Sequence, residues 1–151
     1  MKNTKIISRK KMISLLNEDL AREFQAVIAY TVYSQTMKGA KFQAIAGELK
    51  QHAGEELDHA MQIAKQIDYF NGTPITVPKS VKYSDKPEDM LRFDLQNETD
   101  TIKCYRERIR QADAMGEFGL GEVLRKIIAQ EQEHLTDLAD ALGIDNPKIS
   151  G

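Results

Sequence analysis

Cysteine, proline and glycine are scarce in this chain of 151 residues, and tryptophan is absent. The single cysteine, Cys104, cannot form an internal disulfide, and zinc fingers, rubredoxin-type iron sites and a Cys-x-x-Cys redox pair all need more thiols. With four prolines and nine glycines, the composition favours long helices over a β-sandwich. The net charge of −2 creates no global field that would favour nucleic acid or a membrane surface.

Long apolar runs are also missing. No segment approaches the roughly 18 uninterrupted apolar residues of a membrane-spanning helix, and the N-terminus lacks the apolar run of a signal peptide. We therefore expect a cytoplasmic protein without a membrane partner. The length fits one domain, residues 1–151, with a core of useful size.

Apolar residues recur at three- and four-residue steps over four stretches, which predicts an all-α fold. The expected helices cover about residues 8–38, 40–70, 85–115 and 117–142. Ser8 is expected to cap the first helix, Gly39 and Gly116 to mark short turns, and Gly143 to close the last helix.

The only long connection, residues 71–84, contains two prolines and predicts an extended crossover. Because short links join antiparallel neighbours, helices one and two should pair, as should three and four. The pattern predicts an all-α four-helix bundle with one long crossover between helices two and three.

Two of the three histidines follow a glutamate by three residues, in Glu56-Leu-Asp-His59 and Glu131-Gln-Glu-His134. This spacing places both side chains of a motif on one helix face, about one turn apart. A single motif of this kind most often belongs to a solvated surface, so the relation between the two motifs carries more weight than either alone.

Each motif has a lone glutamate 33 residues before its own glutamate: Glu23 precedes Glu56, and Glu98 precedes Glu131. The midpoints of both intervals fall on the two expected short turns. Folding each hairpin about its turn therefore brings the lone glutamate level with the motif on the partner helix. The chain contains two copies of one half-site, related by an approximate two-fold axis.

Apolar neighbours such as Phe24, Val27 and Ile127 place these glutamates in the core. Four bare carboxylates there would repel one another and cost several kcal/mol each. Two divalent cations would balance them, and carboxylate oxygens with imidazole nitrogens suit iron or manganese better than zinc alone. The expected metal ligands and catalytic residues are Glu23, Glu56, His59, Glu98, Glu131 and His134.

These motifs resemble those of bacterioferritin and related ferritin-like di-iron proteins, over about residues 6–142. The matching text is Leu16-Asn17, Leu20, Glu23, Ala26 and Tyr30, then Glu56-x-x-His59, Arg92-x-Asp94-Leu95-x-x-Glu98 and Glu131-x-x-His134. In that family the motif glutamates bridge two irons, which implies this role for Glu56 and Glu131. The implied partners on single irons are Glu23 with His59 and Glu98 with His134.

The resemblance implies a ferroxidase and iron-storage protein with two Fe ions per chain, for which Mn or Zn could substitute. Fe(II) would be oxidised by O2 or H2O2. Bacterioferritins carry a haem-ligating Met directly after the first motif glutamate, and this chain has Leu57 there, so no haem is expected. They also have a fifth short helix, which the tail after Leu142 is too short to form. We therefore expect a homo-oligomeric cage, with a smaller cage of mini-ferritin size as an alternative to the full shell.

Two other functions stay open. A rubrerythrin-like di-iron peroxidase or oxygen-activating enzyme would keep its irons, but this chain has Thr101 where rubrerythrins add a further glutamate. A DNA-coating mini-ferritin would use a basic N-terminal arm. The basic residues of the N-terminus are Lys2, Lys5, Arg9, Lys10 and Lys11. A solvated helix end is the favoured interpretation of that cluster.

Four further residues have two interpretations each. Tyr30 and Tyr105 each lie seven residues after a lone glutamate and share its helix face, so core packing and a hydrogen bond to a ligand carboxylate are equal alternatives. His52 lies on the face of the first motif; a surface histidine is favoured over an outer metal site. Cys104 is interpreted as a packed core thiol.

Overall fold

The computed structural model describes residues 4–151. Its helices are α1 (Arg9–Thr36), α2 (Gln43–Tyr69), α3 (Pro87–Ala114) and α4 (Phe118–Leu142). The chain packs α1 mainly against α2 and α3 mainly against α4, and contacts of α1 with α3 and of α2 with α4 join the two hairpins. The predicted all-α four-helix bundle is confirmed. Among residues 4–151, no helix is both long enough and apolar enough to cross a membrane.

The first hairpin follows the expected local chemistry with one difference at its turn. Ser8 Oγ accepts a hydrogen bond from Lys11 N at 3.0 Å and caps α1, as predicted. Gly39 has φ of 112°, a backbone conformation that favours glycine. The α-helical part of the second helix begins later than the expected residue 40, because Ala40–Phe42 forms a tighter 3-10 turn.

The start of α3 differs from the prediction at residue 85. The helix begins at Pro87, whose fixed φ suits the first helical position. Ser84 Oγ accepts from Lys86 N at 3.1 Å and donates to Asp89 Oδ2 at 2.8 Å, which holds the preceding residues in a turn. The helix therefore begins two residues after Asp85.

The long connection lies along α1 and follows it from near its start towards its end. Asn17 accepts a hydrogen bond from Ile75 N at 2.8 Å. Further along, Gln25 Nε2 donates to the Ser80 carbonyl at 2.8 Å, and the Tyr33 hydroxyl donates to the carbonyl of Lys82. These bonds satisfy backbone groups of an irregular segment, so the crossover has a defined course from one hairpin to the other.

The core is divided by a layer of polar side chains near the middle of the bundle. One apolar cluster is centred on Met12, Leu16, Leu20, Ile63, Ile67, Phe70, Leu120 and Leu124. The other is centred on Ala29, Tyr33, Ile45, Leu49, Met90, Leu91, Leu135 and Leu138. Burial of both clusters stabilises the bundle and fixes the four helices that carry the polar layer between them. The described tail, residues 143–151, contains no helix.

Candidate metal centre

The six residues predicted to bind metal lie together in the polar layer, and every helix contributes to them. They are Glu23 on α1, Glu56 and His59 on α2, Glu98 on α3, and Glu131 and His134 on α4, each at most 2% exposed. Their donor atoms form two groups, and the atoms within each group lie within 4.8 Å of one another.

The first group, called here the His59 half-site, consists of Glu23, Glu56, His59 and Glu131. The second, the His134 half-site, consists of Glu56, Glu98, Glu131 and His134. Glu56 and Glu131 belong to both groups, so the two motif glutamates lie between the imidazoles, where a bridging ligand would be.

Each imidazole directs its Nδ1 atom towards the glutamate of the opposite motif. His59 Nδ1 lies 2.7 Å from Glu131 Oε1, and His134 Nδ1 lies 2.8 Å from Glu56 Oε1. The lone glutamates lie further away, with 3.5 Å between His59 Nδ1 and Glu23 Oε2. The two-fold arrangement expected from the spacing is therefore present in the side chains as well as in the helices.

The tyrosines that follow the lone glutamates form hydrogen bonds across the bundle. Tyr30 on α1 donates to Glu98 Oε1 on α3 at 2.6 Å, and Tyr105 on α3 donates to Glu23 Oε1 on α1 at 2.5 Å. Of the two interpretations of these tyrosines, the hydrogen bond to a glutamate is the observed one. Each bond uses one carboxylate oxygen and leaves the other, Oε2, without a hydrogen-bond partner.

The outer nitrogens of the two imidazoles have partners that the sequence reasoning missed. His59 Nε2 lies 2.6 Å from Gln130 Oε1, and His134 Nε2 lies 3.3 Å from Glu55 Oε2. These contacts fix the orientation of both rings and direct Nδ1 inward. A signal was present in the sequence, because Glu55 and Gln130 each immediately precede a motif glutamate.

Burial and mutual charge shift the pKa values of the carboxyl groups in opposite directions. Burial, together with repulsion from Glu131, raises the pKa values of Glu56 and Glu98 well above the usual range. Burial also acts to raise the pKa of Glu131, but its contacts with Glu98 and the two imidazoles outweigh this and lower it. The centre therefore retains at least one ionised carboxylate between its two histidines.

Both imidazoles have a high pKa for the same reason. Burial alone would lower the pKa of His59, but Glu131 and Glu23 outweigh it and raise the value to about 10. Burial likewise opposes the charge on His134, whereas Glu131 and Glu98 raise its pKa to about 11. Without a metal cation, two imidazolium ions neutralise part of the carboxylate charge at neutral pH.

The donor atoms of the centre fit divalent cations. Seven buried atoms of the six residues have no hydrogen-bond partner, namely Glu23 Oε2, Glu56 Oε1, His59 Nδ1, Glu98 Oε2, both oxygens of Glu131, and His134 Nδ1. The short nitrogen–oxygen contacts described above are ion pairs without hydrogen-bond geometry, so in the metal-free protein they offset the buried charges but leave the hydrogen-bonding capacity of these atoms unused. Unsatisfied buried polar atoms cost about 1–3 kcal/mol each, and a shared cation would satisfy several at once. The oxygen-rich donor set without thiolate suits iron or manganese.

His52 lies inside the protein, so its favoured interpretation as a surface histidine is wrong. The residue is 3% exposed, its Nε2 lies 3.0 Å from Asp137 Oδ2, and its ring stacks on His134 with 4.0 Å between centroids. Burial and the neighbouring His134 lower the pKa of His52 to about 4, despite the contact with Asp137. His52 therefore packs against the ring of His134 and belongs to neither half-site.

A buried ion pair next to the centre was also missed. Asp19, one turn before Glu23, accepts hydrogen bonds from Arg108 Nε at 2.7 Å and Nη2 at 3.1 Å, and also from Arg22. The corresponding acid on α3, Asp94, is 2% exposed, and its Oδ2 has no partner. The two halves of the centre thus have different electrostatic surroundings.

The remaining predicted features lie at the surface or near it. In the basic N-terminal cluster, Lys2 falls outside the described residues and the other four members are exposed. Cys104 is a free, half-buried thiol, so its interpretation as a core thiol is wrong; the helix face it occupies is only partly covered. Leu57, at the position expected for a haem ligand, is 43% exposed on α2, and the absence of haem stays a prediction.

Known proteins resemble this chain over nearly its whole length. The ferritin-like domain model of the Ferritin family matches residues 13–146. Bacterioferritin of Brucella melitensis is 24% identical over 135 residues, which cover 89% of this chain and 84% of that protein.

Two solved structures share the architecture. A ferritin-like, diiron-carboxylate protein of Bacillus anthracis is 33% identical, with a TM-score of 0.85 over 94% of this chain and 99% of that one. A dodecameric thioferritin of Bacteroides fragilis, described as bacterioferritin-related, is 27% identical, with a TM-score of 0.84 over 91% of this chain and 87% of that one. Together with the arrangement of the four helices and the buried carboxylate–histidine layer, these matches establish that the chain belongs to the ferritin-like family, with bacterioferritins among its relatives.

Proposed function

We propose that this protein stores iron and that its centre is a ferroxidase site for two Fe(II) ions. The observation that carries the proposal is the set of seven unpartnered donor atoms, from four glutamates and two imidazoles, that converge in the buried polar layer of the bundle. Bacterioferritin relatives and a diiron-carboxylate structural neighbour support iron as the metal.

Each residue of the centre has a defined part in this function. The bridging position belongs to Glu56 and Glu131, while the terminal carboxylates are those of Glu23 and Glu98. Tyrosine hydrogen bonds hold the terminal carboxylates in place, so that one free oxygen of each faces the metal position. Two bound Fe(II) ions would supply two electrons, which together with two protons from solvent would reduce one O2 to H2O2 or one H2O2 to two water molecules. The protein preorganises the two ions next to each other and excludes other donors.

A bridging-glutamate variant tests the site. We expect Glu131→Ala to lose most of the rapid Fe(II) oxidation followed by near-ultraviolet absorbance, because both half-sites lose a ligand. Glu122→Ala is the matched control, since Glu122 is exposed on the same helix. Unchanged oxidation kinetics in Glu131→Ala would refute the assigned ligand set.

Iron capacity separates storage from the alternative of a di-iron peroxidase or oxygen-activating enzyme. A storage protein accumulates iron far beyond two ions per chain as a mineral, whereas the enzyme would retain only its two. Aerobic loading followed by metal analysis of the desalted protein distinguishes them. A plateau at about two irons per chain would overturn storage while leaving the metal centre intact.

Storage also needs a closed assembly, and we propose a homo-oligomeric cage. The dodecameric state of the Bacteroides fragilis relative supports it. On α2, Leu57 and Met61 are 43% and 60% exposed one turn apart, which leaves an apolar surface for a neighbouring subunit. Light scattering coupled to size exclusion measures the assembly; a monomer at micromolar concentration would contradict the cage.

A further inference from the structure

The two half-sites are related by a shift of 75 residues along the chain, which pairs Glu23 with Glu98 and His59 with His134. Because the ligands on both sides are identical in type, any difference in cation affinity must arise from their surroundings. The same shift identifies corresponding positions in those surroundings, where the residues differ in charge.

The first difference is the group behind each imidazole. Glu55 and Gln130 are related by the same shift. His134 Nε2 contacts the Glu55 carboxylate at 3.3 Å, whereas His59 Nε2 contacts the neutral amide oxygen of Gln130 at 2.6 Å. A carboxylate partner makes the imidazole a more basic ligand and offsets part of the cation's charge. A neutral amide partner has a weaker effect of both kinds.

The second difference is the acid one turn before each lone glutamate. Asp19, on the His59 side, is neutralised by Arg108 and Arg22. Asp94, on the His134 side, is equally buried, but its Oδ2 has no partner in the described structure, and burial raises its pKa well above the usual range, which favours the neutral acid. Positive charge is therefore built in beside one half-site and missing beside the other.

A third difference lies between α2 and α4, next to each imidazole. His52 and Asp137 lie behind His134, and the shift places the apolar Ile127 at the position that corresponds to His52. A surface pocket lined by Ile127 and Gln130 reaches His59. The His59 half-site thus has a neutral amide instead of a carboxylate at its imidazole Nε2, and it adjoins an opening to the surface.

From these differences we infer that the His134 half-site binds a divalent cation more tightly and fills first, with Glu55 as the positioning residue that sets the order. The His59 half-site then holds its ion more loosely and exchanges it through the adjoining pocket. The inference rests on the proposed metal centre and adds an order of filling to it.

Occupancy at one equivalent of metal tests the order directly. In any two-ion centre the first cation repels the second, so two unequal binding steps would arise even with symmetric surroundings. The informative measurement is which half-site is filled. We expect crystals of the wild-type protein soaked with one Co(II) per chain to show anomalous density mainly in the His134 half-site. Equal density in both half-sites, or more in the His59 half-site, would overturn the inference.

Exchange of the two partner residues tests the role of Glu55. We expect Glu55→Gln to weaken the first Co(II) binding step by about tenfold or more, and Gln130→Glu to strengthen the second step. In the double variant, the first ion should move to the His59 half-site, with a changed visible Co(II) spectrum. If the double variant still fills the His134 half-site first with wild-type affinity, Glu55 does not set the order.

Failure of the inference can be distinguished from failure of the proposed function. If the wild-type protein binds no Co(II) at the centre, both fail. If it binds two ions with equal occupancy, and His59→Ala and His134→Ala each lose one, the metal centre stands and the unequal half-sites do not. The wild-type occupancy measurement needs no variant, so a poorly folded variant does not affect it.

Discussion

Metal binding should release protons, because two of the proposed ligands carry protons that a cation must displace. The pKa values of His59 and His134, raised to about 10 and about 11, keep both rings protonated at pH 7 in the metal-free protein. Coordination through Nδ1 requires neutral imidazole, so loading both positions removes two protons. Burial also raises the pKa values of Glu56 and Glu98, so each of these carboxyl groups can release at most one further proton. We therefore expect the binding of two cations to release about two to four protons per chain.

Calorimetry measures this number without any redox chemistry. Anaerobic titration with Zn(II) at pH 7, repeated in two buffers of different ionisation enthalpy, gives the number of protons released from the difference in apparent enthalpy. The variant His134→Ala should release about one proton fewer, because one imidazolium is gone. Tight binding of two ions without proton release would refute the protonated state of the metal-free centre.

Three further outcomes follow from the geometry. Zn(II) at a hundred times its dissociation constant should stabilise the fold by about 2.7 kcal/mol for each bound ion and raise Tm by about 5–10 °C per ion in calorimetric scans; no shift would contradict tight binding. Tyr105→Phe should slow Fe(II) oxidation about tenfold by freeing Glu23, with the exposed Tyr69→Phe as control, and equal rates would show that the hydrogen bond is dispensable. In the metal-free protein, imidazolium–carboxylate contacts contribute stability that is fully present below the ordinary histidine pKa and is lost as pH rises through about 10 to 11. The free energy of unfolding from urea titrations should therefore fall between pH 7 and 10, and a rise would contradict the assigned pKa values.

The helices and their pairing could be read from local spacing alone. The breaks at Gly39 and Gly116 and the proline-containing crossover define four helices, and short links make antiparallel pairs. The exact start of α3 was misplaced by two residues, because the turn held by Ser84 competes with the helix-start pattern at Asp85. The cytoplasmic location and the two irons per chain stay predictions.

The six central residues could also be found from the sequence, because their positions are fixed along single helices. Glu-x-x-His defines one face of a helix, and the equal 33-residue intervals fix where partner helices bring the lone glutamates. The shared apolar periodicity requires that face to point inward. These relations depend on helical geometry alone, and that geometry is the same in every α-helix.

The surroundings of the centre were decided by the tertiary structure. The partners Glu55 and Gln130, the burial of His52 against His134, and the ion pair between Asp19 and Arg108 all join residues on different helices. Such contacts depend on the rotation and axial offset of two packed helices, which spacing along one helix does not specify. The sequence by itself thus determined the helices and the identity of the proposed ligands. Only the packing of the four helices decided which charges surround each half-site, because a few ångströms of offset change which side chains meet.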